Sequence, residues 1–128
     1  MPSPQYRTFV NSLLTALPEV KSRYDLLQEQ VQLNESPHMV VALVLEAFAK
    51  DVLKSKADES VRRKVFAFLE QMANSQDIEV VNLLYVGIFE DWAGEKETLA
   101  QAWKYMGTST KQIASDAAHR LNLGDNLP

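Results

Sequence analysis

Apolar residues recur along this chain at spacings of three and four, the periodicity with which one face of an α-helix is buried. No alternating run of apolar and polar residues is long enough to indicate a β-strand. The pattern predicts six or seven short helices joined by tight turns. Their expected spans are 4–16, 18–32, 37–55, a helix from a cap at Asp58 to the NSQD break at 74–77, then 77–92, 95–106 and 109–121.

Residues that start and stop helices set these bounds. Pro18 ends the first helix and suits the opening position of the second, where a missing N–H is harmless. Ser36, Asp77 and Ser109 are expected N-caps, because their side-chain oxygens can accept a backbone N–H of the first turn. Gly94 is expected to end the fifth helix in the left-handed conformation. The sequence therefore predicts an all-α domain, either a bundle or a short α-solenoid-like stack of helical hairpins.

The fifth predicted helix is apolar around most of its circumference, so it is expected near the middle of the domain. Leu84, Tyr85 and Ile88 are predicted to be largely buried. Gly87 costs about 1 kcal/mol relative to alanine in a helix interior, which is explained if another helix approaches closely there. In the third helix the expected buried face carries Val40, Leu43, Val44, Ala47, Phe48 and Val52.

Composition adds the broad class of protein. With 128 residues, 46% of them hydrophobic and 23% charged, a single globular domain over 1–128 is expected. The chain has no cysteine, which excludes disulfides and cysteine-based zinc sites. We expect no signal peptide, and the longest apolar run, Met39 to Leu45, is far shorter than the ~20 residues that span a bilayer. A cytoplasmic protein without membrane association is predicted.

Negative charge is concentrated between Asp77 and Glu97, although the net charge of the whole chain is only −4. Six acidic residues in this segment face a single base, Lys96. A surface of that sign repels phosphate backbones and attracts basic protein surfaces. The charge pattern therefore argues against nucleic-acid binding and favours a basic protein partner.

Glu90 and Asp91 fall in the last turn of the fifth helix, where the helix dipole disfavours each exposed carboxylate by about 0.3–1 kcal/mol. One interpretation is that the basic stretch Arg62–Lys64 of the preceding helix neutralises them. The other is that they bind a basic partner beside a partly exposed Trp92, since tryptophan is frequent at binding hot spots. On that interpretation the partner-binding residues are Glu79, Glu90, Asp91, Trp92, Glu95 and Glu97.

Residues that could carry chemistry are sparse. His38 and His119 fall in different helices, and Asp116 shares a helix face with His119. A metal site would need further carboxylate ligands, so an exposed pair of Asp116 with His119 is expected instead. Glu46 and Lys50 are expected to form a surface ion pair. Since neither a nucleophile–base set nor a glycine-rich phosphate loop occurs, we predict no enzyme, no cofactor and no metal site.

The segment from Phe66 to Thr110 resembles a family of small bacterial helical proteins. Its members carry F-x-F-L-E-x-M, then an acidic helix of the form D-x-E-V-x-N-L-L-Y-V-G-F-L-E-D, then a Y-(M/L)-G turn. The matching residues are Phe66, Phe68, Leu69, Glu70, Met72, Asp77, Glu79, Val80, Asn82, Leu83, Leu84, Tyr85, Val86, Gly87, Phe89, Glu90, Asp91, Tyr105, Met106 and Gly107. Ile88 and Phe89 stand where the family has Phe and Leu. Many such proteins look like immunity proteins of contact-dependent or polymorphic toxin systems, so the resemblance implies an immunity role.

The leading hypothesis is an immunity protein that binds and neutralises a cognate bacterial toxin, a basic effector domain such as a nuclease, through the acidic surface. The alternative is a helical-repeat adaptor or scaffold that binds a basic peptide or a partner helix. A small-molecule enzyme or a ligand-binding bundle is a third hypothesis. A toxin-encoding reading frame immediately upstream of the gene would favour the first hypothesis over the second.

Overall fold

A computed structural model describes residues 4–30, 36–54 and 59–128. Within these ranges the regular structure is helical and no strand occurs, which confirms the predicted all-α fold. The described residues form seven helices and three 3₁₀ turns. The helices are α1 (Phe9–Ala16), α2 (Lys21–Gln30), α3 (Pro37–Val40, Val41–Leu45 and Glu46–Lys54), α4 (Glu59–Ala73), α5 (Ile78–Leu84, Tyr85–Phe89 and Glu90–Trp92), α6 (Lys96–Trp103) and α7 (Thr108–Arg120), and the turns are Tyr6–Thr8, Pro18–Val20 and Gly124–Asn126.

The predicted helix bounds can be compared with the structure at most ends. The predicted ends at Gln32 and Ser55 and the predicted cap Asp58 lie outside the described residues. Helix α6 is shorter than predicted, because after Trp103 the chain tightens into a turn before Met106. No helix in the described ranges combines the length and the apolar character needed to cross a bilayer.

Two predicted N-caps are confirmed. The Ser36 hydroxyl accepts a hydrogen bond from the Met39 N–H (3.5 Å), and Asp77 Oδ1 accepts one from the Glu79 N–H (3.1 Å). The other Asp77 oxygen accepts the Tyr6 N–H at 2.8 Å, which ties the N-terminal segment to the start of α5. These bonds satisfy backbone donors that would otherwise lack a partner.

The predicted cap of α7 is wrong, because a residue of another helix fills that role. Gly107 occupies the N-cap position, and the carboxylate of Glu70 on α4 accepts the N–H groups of Ser109 (3.2 Å) and Thr110 (2.8 Å). The Thr110 hydroxyl also donates to Glu70 (2.6 Å). Such a carboxylate matches the helix dipole in place of the predicted Ser109 cap. A side chain at position 107 would displace the Glu70 carboxylate, since its Cβ would lie 2.4 Å from Glu70 Cδ.

The predicted left-handed glycine at the end of α5 is also wrong. Gly94 does not have a positive φ, and Asn122 (φ 58°) is the only residue with one in the described part of the chain. The Gly94 N–H donates to the Asp91 carbonyl (3.2 Å), and the Glu95 N–H donates to the Trp92 carbonyl (2.9 Å). This three-residue spacing is that of a tight right-handed turn, which does not require glycine.

The middle segments of α3 and α5 are π-helical, at Val41–Leu45 and Tyr85–Phe89. A π turn holds one residue more than an α turn, so it changes the direction of every later side chain. Trp92 follows Val80 by twelve residues, about 3.3 turns of regular α-helix, which would separate their directions by about 120°. With the extra residue the two side chains share one face, and both are fully buried.

Because of the π turns, the buried faces predicted for both helices are partly wrong. On the predicted face of α3, Leu43 is 41% exposed, and Ala47 and Phe48 are half-buried. Tyr85 of α5, predicted as largely buried, is half-buried. The buried apolar side chains of α3 are Val40, Val41, Val44, Leu45, Ala49 and Val52.

Helix α5 lies at the centre of the structure, in contact with α3, α4, α6 and α7. Its Leu84 and Ile88 side chains are fully buried, as predicted. Gly87 faces Val41 of α3 so closely that a Cβ at position 87 would lie 2.5 Å from Val41 Cγ1, which confirms the predicted close approach. Because α4 also contacts α1 and α7, and α6 contacts α3, the helices share one core, as in a bundle and unlike a solenoid.

Candidate partner-binding surface

Trp92, predicted as a partly exposed anchor, is completely buried, and that prediction is wrong. Its ring packs against Phe66 and Phe89, with ring centroids 6.4 and 5.7 Å away. The π turn in α5 places Trp92 on the same face as Val80, inside the bundle. Its indole N–H has no acceptor among the described residues, an uncommon arrangement for a buried donor. Trp92 therefore belongs to the core and cannot contact a partner directly.

Glu95, predicted to face a partner, is bound to other residues of this protein, although its side chain is 37% exposed. Its carboxylate binds Lys50 Nζ of α3 at 2.9 Å and accepts the Thr98 hydroxyl at 3.1 Å. Lys50 Nζ also lies 3.3 Å from Glu46, whose side chain is buried, so the predicted pair is present but is not a surface pair. Partial burial raises the pKa of Glu95, but the hydrogen bonds from Lys50 and Thr98 outweigh it and leave that pKa below its usual value.

The basic residues of α4 bind other acids. Arg62 and Arg63 lie 3.0 and 3.5 Å from Glu59 of the same helix, and Lys64 lies 2.9 Å from Glu19. The two acids in the last turn of α5 form no ion pair or side-chain hydrogen bond within residues 4–30, 36–54 and 59–128. The interpretation that α4 neutralises those acids is therefore wrong.

Glu79 and Glu97 are exposed in the first turns of α5 and α6, where the helix dipole favours a carboxylate. Glu79 precedes Glu90 by eleven residues, which is roughly 16 Å along a helix axis. The six predicted partner-binding residues therefore do not form one cluster. Glu90 and Asp91 differ from the others, because their position at a helix C-terminus opposes the dipole.

A further acid lies in a turn that is bonded to the end of α5. Asp125 is exposed in the turn Gly124–Asn126, and the Asn126 side chain donates to the Ala93 carbonyl (2.8 Å) across 33 residues of sequence. This bond places the turn beside the end of α5. The letters GDN indicate a turn but not its location, so the sequence carries no signal for this contact. We call Glu90, Asp91 and Asp125 the acidic helix end.

Neither histidine belongs to a cluster of metal-binding side chains in the described residues. His38 is exposed and its ring lies 5.8 Å from that of Tyr6. Asp116 accepts a hydrogen bond from Gln112 (3.0 Å) and forms no ion pair with His119 in the described part of the chain, so that predicted pair is wrong. Within the same ranges, no group of three or more acidic or histidine side chains is placed to hold a metal ion.

A shallow groove of about 470 Å³ lies at the other end of α5. It is bounded by α3, α5 and α7 and is separate from the acidic helix end. The lining residues are His38, Ile78, Glu79, Val81, Asn82, Tyr85 and Arg120.

Comparison with known proteins gives a family and no function. No curated protein and no solved structure matches the chain. One family model matches residues 10–121, which is most of the chain, including α2 to α7. The chain therefore belongs to the family described as a domain of unknown function, DUF7674.

Proposed function

We propose that this protein is an immunity protein, which binds a basic toxin domain through the acidic helix end and so neutralises it. The immunity role rests on the resemblance of the segment from Phe66 to Thr110 to proteins of that kind. The basic character of the partner rests on the charge of Glu90, Asp91 and Asp125. Of the six predicted residues the proposal keeps Glu90 and Asp91, omits Glu79, Trp92, Glu95 and Glu97, and adds Asp125.

The observation that supports the proposal most strongly is the contrast between paired and unpaired acids. Glu46, Glu70 and Glu95 are each bound by groups of other residues inside the protein. Glu90 and Asp91 have no such partners in the described ranges, and the helix dipole disfavours them where they are. A cation from a binding partner would remove that unfavourable charge interaction.

Charge of this kind acts mainly on the rate of association. An acidic patch attracts a basic surface before contact, and this attraction can raise the association rate constant by 10-fold or more at low salt. Salt reduces the effect, because mobile ions screen exposed charges over about 10 Å at 0.1 M. The proposal therefore predicts fast, salt-sensitive association with a basic toxin domain.

The experiment is co-expression with the toxic product of the reading frame next to this gene, with growth as the readout. The unaltered protein should restore growth. The double variant Glu90→Lys/Asp91→Lys should lose the rescue, and stopped-flow association should slow at least about tenfold at low salt. A thermal melt of each purified variant shows whether the fold is intact.

The matched control is Asp25→Lys/Glu29→Lys, which makes the same change in net charge on exposed positions of α2. It should keep the rescue. If both double variants lose rescue equally, net charge and not the acidic helix end is responsible, and the proposed surface is wrong. If the neighbouring product binds but is not neutralised, the alternative of an adaptor that binds basic segments is favoured over immunity.

A further inference from the structure

The groove at the start of α5 combines exposed apolar surface with unused polar groups from three helices. Ile78 is 74% exposed, although it is a large aliphatic residue. Val81 and Tyr85 follow it at spacings of three and four, on one face of the helix, and both are half-buried. Together they make an apolar strip along the floor of the groove.

Arg120 supplies a cation at the edge of this strip. Its guanidinium lies over the Tyr85 ring, 6.0 Å from the centroid. It forms no ion pair in residues 4–30, 36–54 and 59–128, although the chain has a net charge of −4. A guanidinium next to an aromatic ring keeps N–H groups available, and these match the two oxygens of a carboxylate.

Two further polar side chains lie in the groove with that cation. The side chains of Asn82 and His38 line the same groove and make no hydrogen bond within the described residues. Among the described residues that line the groove, Glu79 is the one acid, and it lies in the first turn of α5, at the end of the strip away from Tyr85. The Tyr85 end of the groove therefore favours an anionic group, and the Ile78 end favours an apolar one.

We infer that this groove binds a peptide segment of a protein partner, with an apolar side chain over Ile78 and Val81 and a carboxylate on Arg120. A protein partner fits better than a small molecule, because only a surface that extends beyond the groove would cover a side chain as exposed as Ile78. The net negative charge of this protein repels an acidic peptide, so the attraction for its carboxylate has to come from Arg120. The inference does not depend on the immunity role. The groove is proposed to bind an acidic segment, whereas the acidic helix end is proposed to bind a basic surface.

The test uses a blocked hexapeptide, SLLDLS, with SLLNLS and SLLKLS as neutral and basic counterparts. Amide chemical shifts in a two-dimensional NMR titration locate the contact, and calorimetry gives the dissociation constant. The acidic peptide should shift the resonances of Ile78, Val81, Tyr85 and Arg120 in a saturable way. It should bind more tightly than SLLNLS, and SLLKLS should bind most weakly.

Arg120→Gln should weaken SLLDLS by about tenfold or more, the effect of losing a hydrogen bond between two charged groups, and leave SLLNLS unchanged. Arg63→Gln is the matched control, because Arg63 is exposed and lies outside the groove. It should change neither peptide by more than about twofold, if its charge acts only at long range. Ile78→Ser should weaken both peptides to a similar degree, since it removes apolar contact and no charge.

Three results would overturn the inference. The first is the absence of saturable shifts at millimolar peptide. The second is a contact that maps away from the start of α5. The third is equal weakening by Arg120→Gln and Arg63→Gln, which would mean general charge attraction. If Arg120→Gln does not fold, Arg120→Lys keeps the charge at the helix end and removes the planar guanidinium, and it should still weaken SLLDLS selectively.

Discussion

Helices α3 and α5 are built alike and end differently. Each begins at a side-chain cap, Ser36 or Asp77, and each changes from α to π and back to α. In each, the extra residue of the π turn changes the direction of the later side chains, so that residues on both sides of the turn face the core. The two π segments contact each other, where Gly87 lies against Val41.

The difference lies at the C-terminal ends. The described part of helix α3 has Lys54 in its last turn, and Lys50 one turn earlier binds Glu46 and Glu95. Cations suit that end of a helix. Helix α5 ends with Glu90 and Asp91, which have no cation in the described structure. Both helices contribute to the same core, but only α5 of the two carries acids in its last described turn, and we propose binding as the reason.

The largest expected effect comes from the residue that closes the buried face of α5. Trp92→Ala should reduce the free energy of unfolding by about 3–5 kcal/mol, because it removes the largest fully buried side chain and leaves a cavity beside Phe66 and Phe89. Chemical denaturation measures the loss. A loss below 1 kcal/mol would mean that Trp92 is not in the core and that the π turn does not set its direction.

Trp92→Phe is the control that separates ring packing from the indole N–H. Phenylalanine keeps much of the apolar volume and removes a buried donor that has no acceptor in the described residues. A donor of that kind costs about 1–3 kcal/mol when it is left unpaired. Trp92→Phe should therefore cost much less than Trp92→Ala.

The next effect tests the crossing of the two helices. Gly87→Val should destabilise the fold by about 1–3 kcal/mol through overpacking, because even a Cβ at position 87 meets Val41 Cγ1 at 2.5 Å. Adding Val41→Ala should recover part of the loss, as a double-mutant cycle would show. Gly94→Ala serves as the control. The nearest atom to its Cβ would be the Asp91 carbonyl oxygen at 3.7 Å, so stability should hold.

Local signals predicted the helices of this protein, and distant contacts account for what they missed. The caps Ser36 and Asp77 act on their own first turns, and apolar spacing needs only neighbouring residues. The burial of Trp92 depends on a π turn, which a search at a fixed 3.6-residue period cannot detect. Glu95 meets Lys50 across 45 residues of sequence, so this contact follows only from the packing of α3 against α6.

Only part of the acidic helix end, Glu90 and Asp91, could be predicted from local signals. Glu90 and Asp91 stand out in the sequence, because a carboxylate in a last helical turn breaks a local rule. Asp125 breaks no rule in its own turn, and only the hydrogen bond from the Asn126 side chain to the Ala93 carbonyl shows that this turn lies beside the end of α5. Sequence reasoning therefore finds residues that are unusual for their own helix or turn. It misses residues whose importance comes only from their neighbours in the folded structure.

The contact between the end of α3 and the turn after α5 should depend on pH. The pKa of Glu95 is lowered in the folded protein, so its contribution to stability is complete above the unfolded value of about 4.3. It is lost as the pH falls through the lowered folded value. Glu95→Gln should flatten the fall in unfolding free energy between about pH 5 and pH 3, when melts are compared with the unaltered protein.

The pKa of Glu70 is lowered as well, because the hydrogen bonds at the start of α7 outweigh its partial burial. Glu70 therefore contributes to the same pH window in both proteins, and the difference between them isolates Glu95. A difference that does not change with pH would show that the Lys50–Glu95 pair adds nothing as a charged pair.

The smallest effect tests the two helix ends directly, by exchanging their charges one at a time. Asp91 and Lys54 are both exposed. Asp91→Lys should raise the unfolding free energy by about 0.3–1 kcal/mol, because a cation replaces an anion at a helix C-terminus. Lys54→Glu should lower it by at least as much, because it also removes a cation that attracts Glu95. Both changes should shrink in 1 M salt. If Asp91→Lys destabilises the protein, Asp91 holds the fold together and is not free for a partner. If it stabilises the protein and slows association with the toxin, the end of α5 retains its acids for binding at the expense of stability.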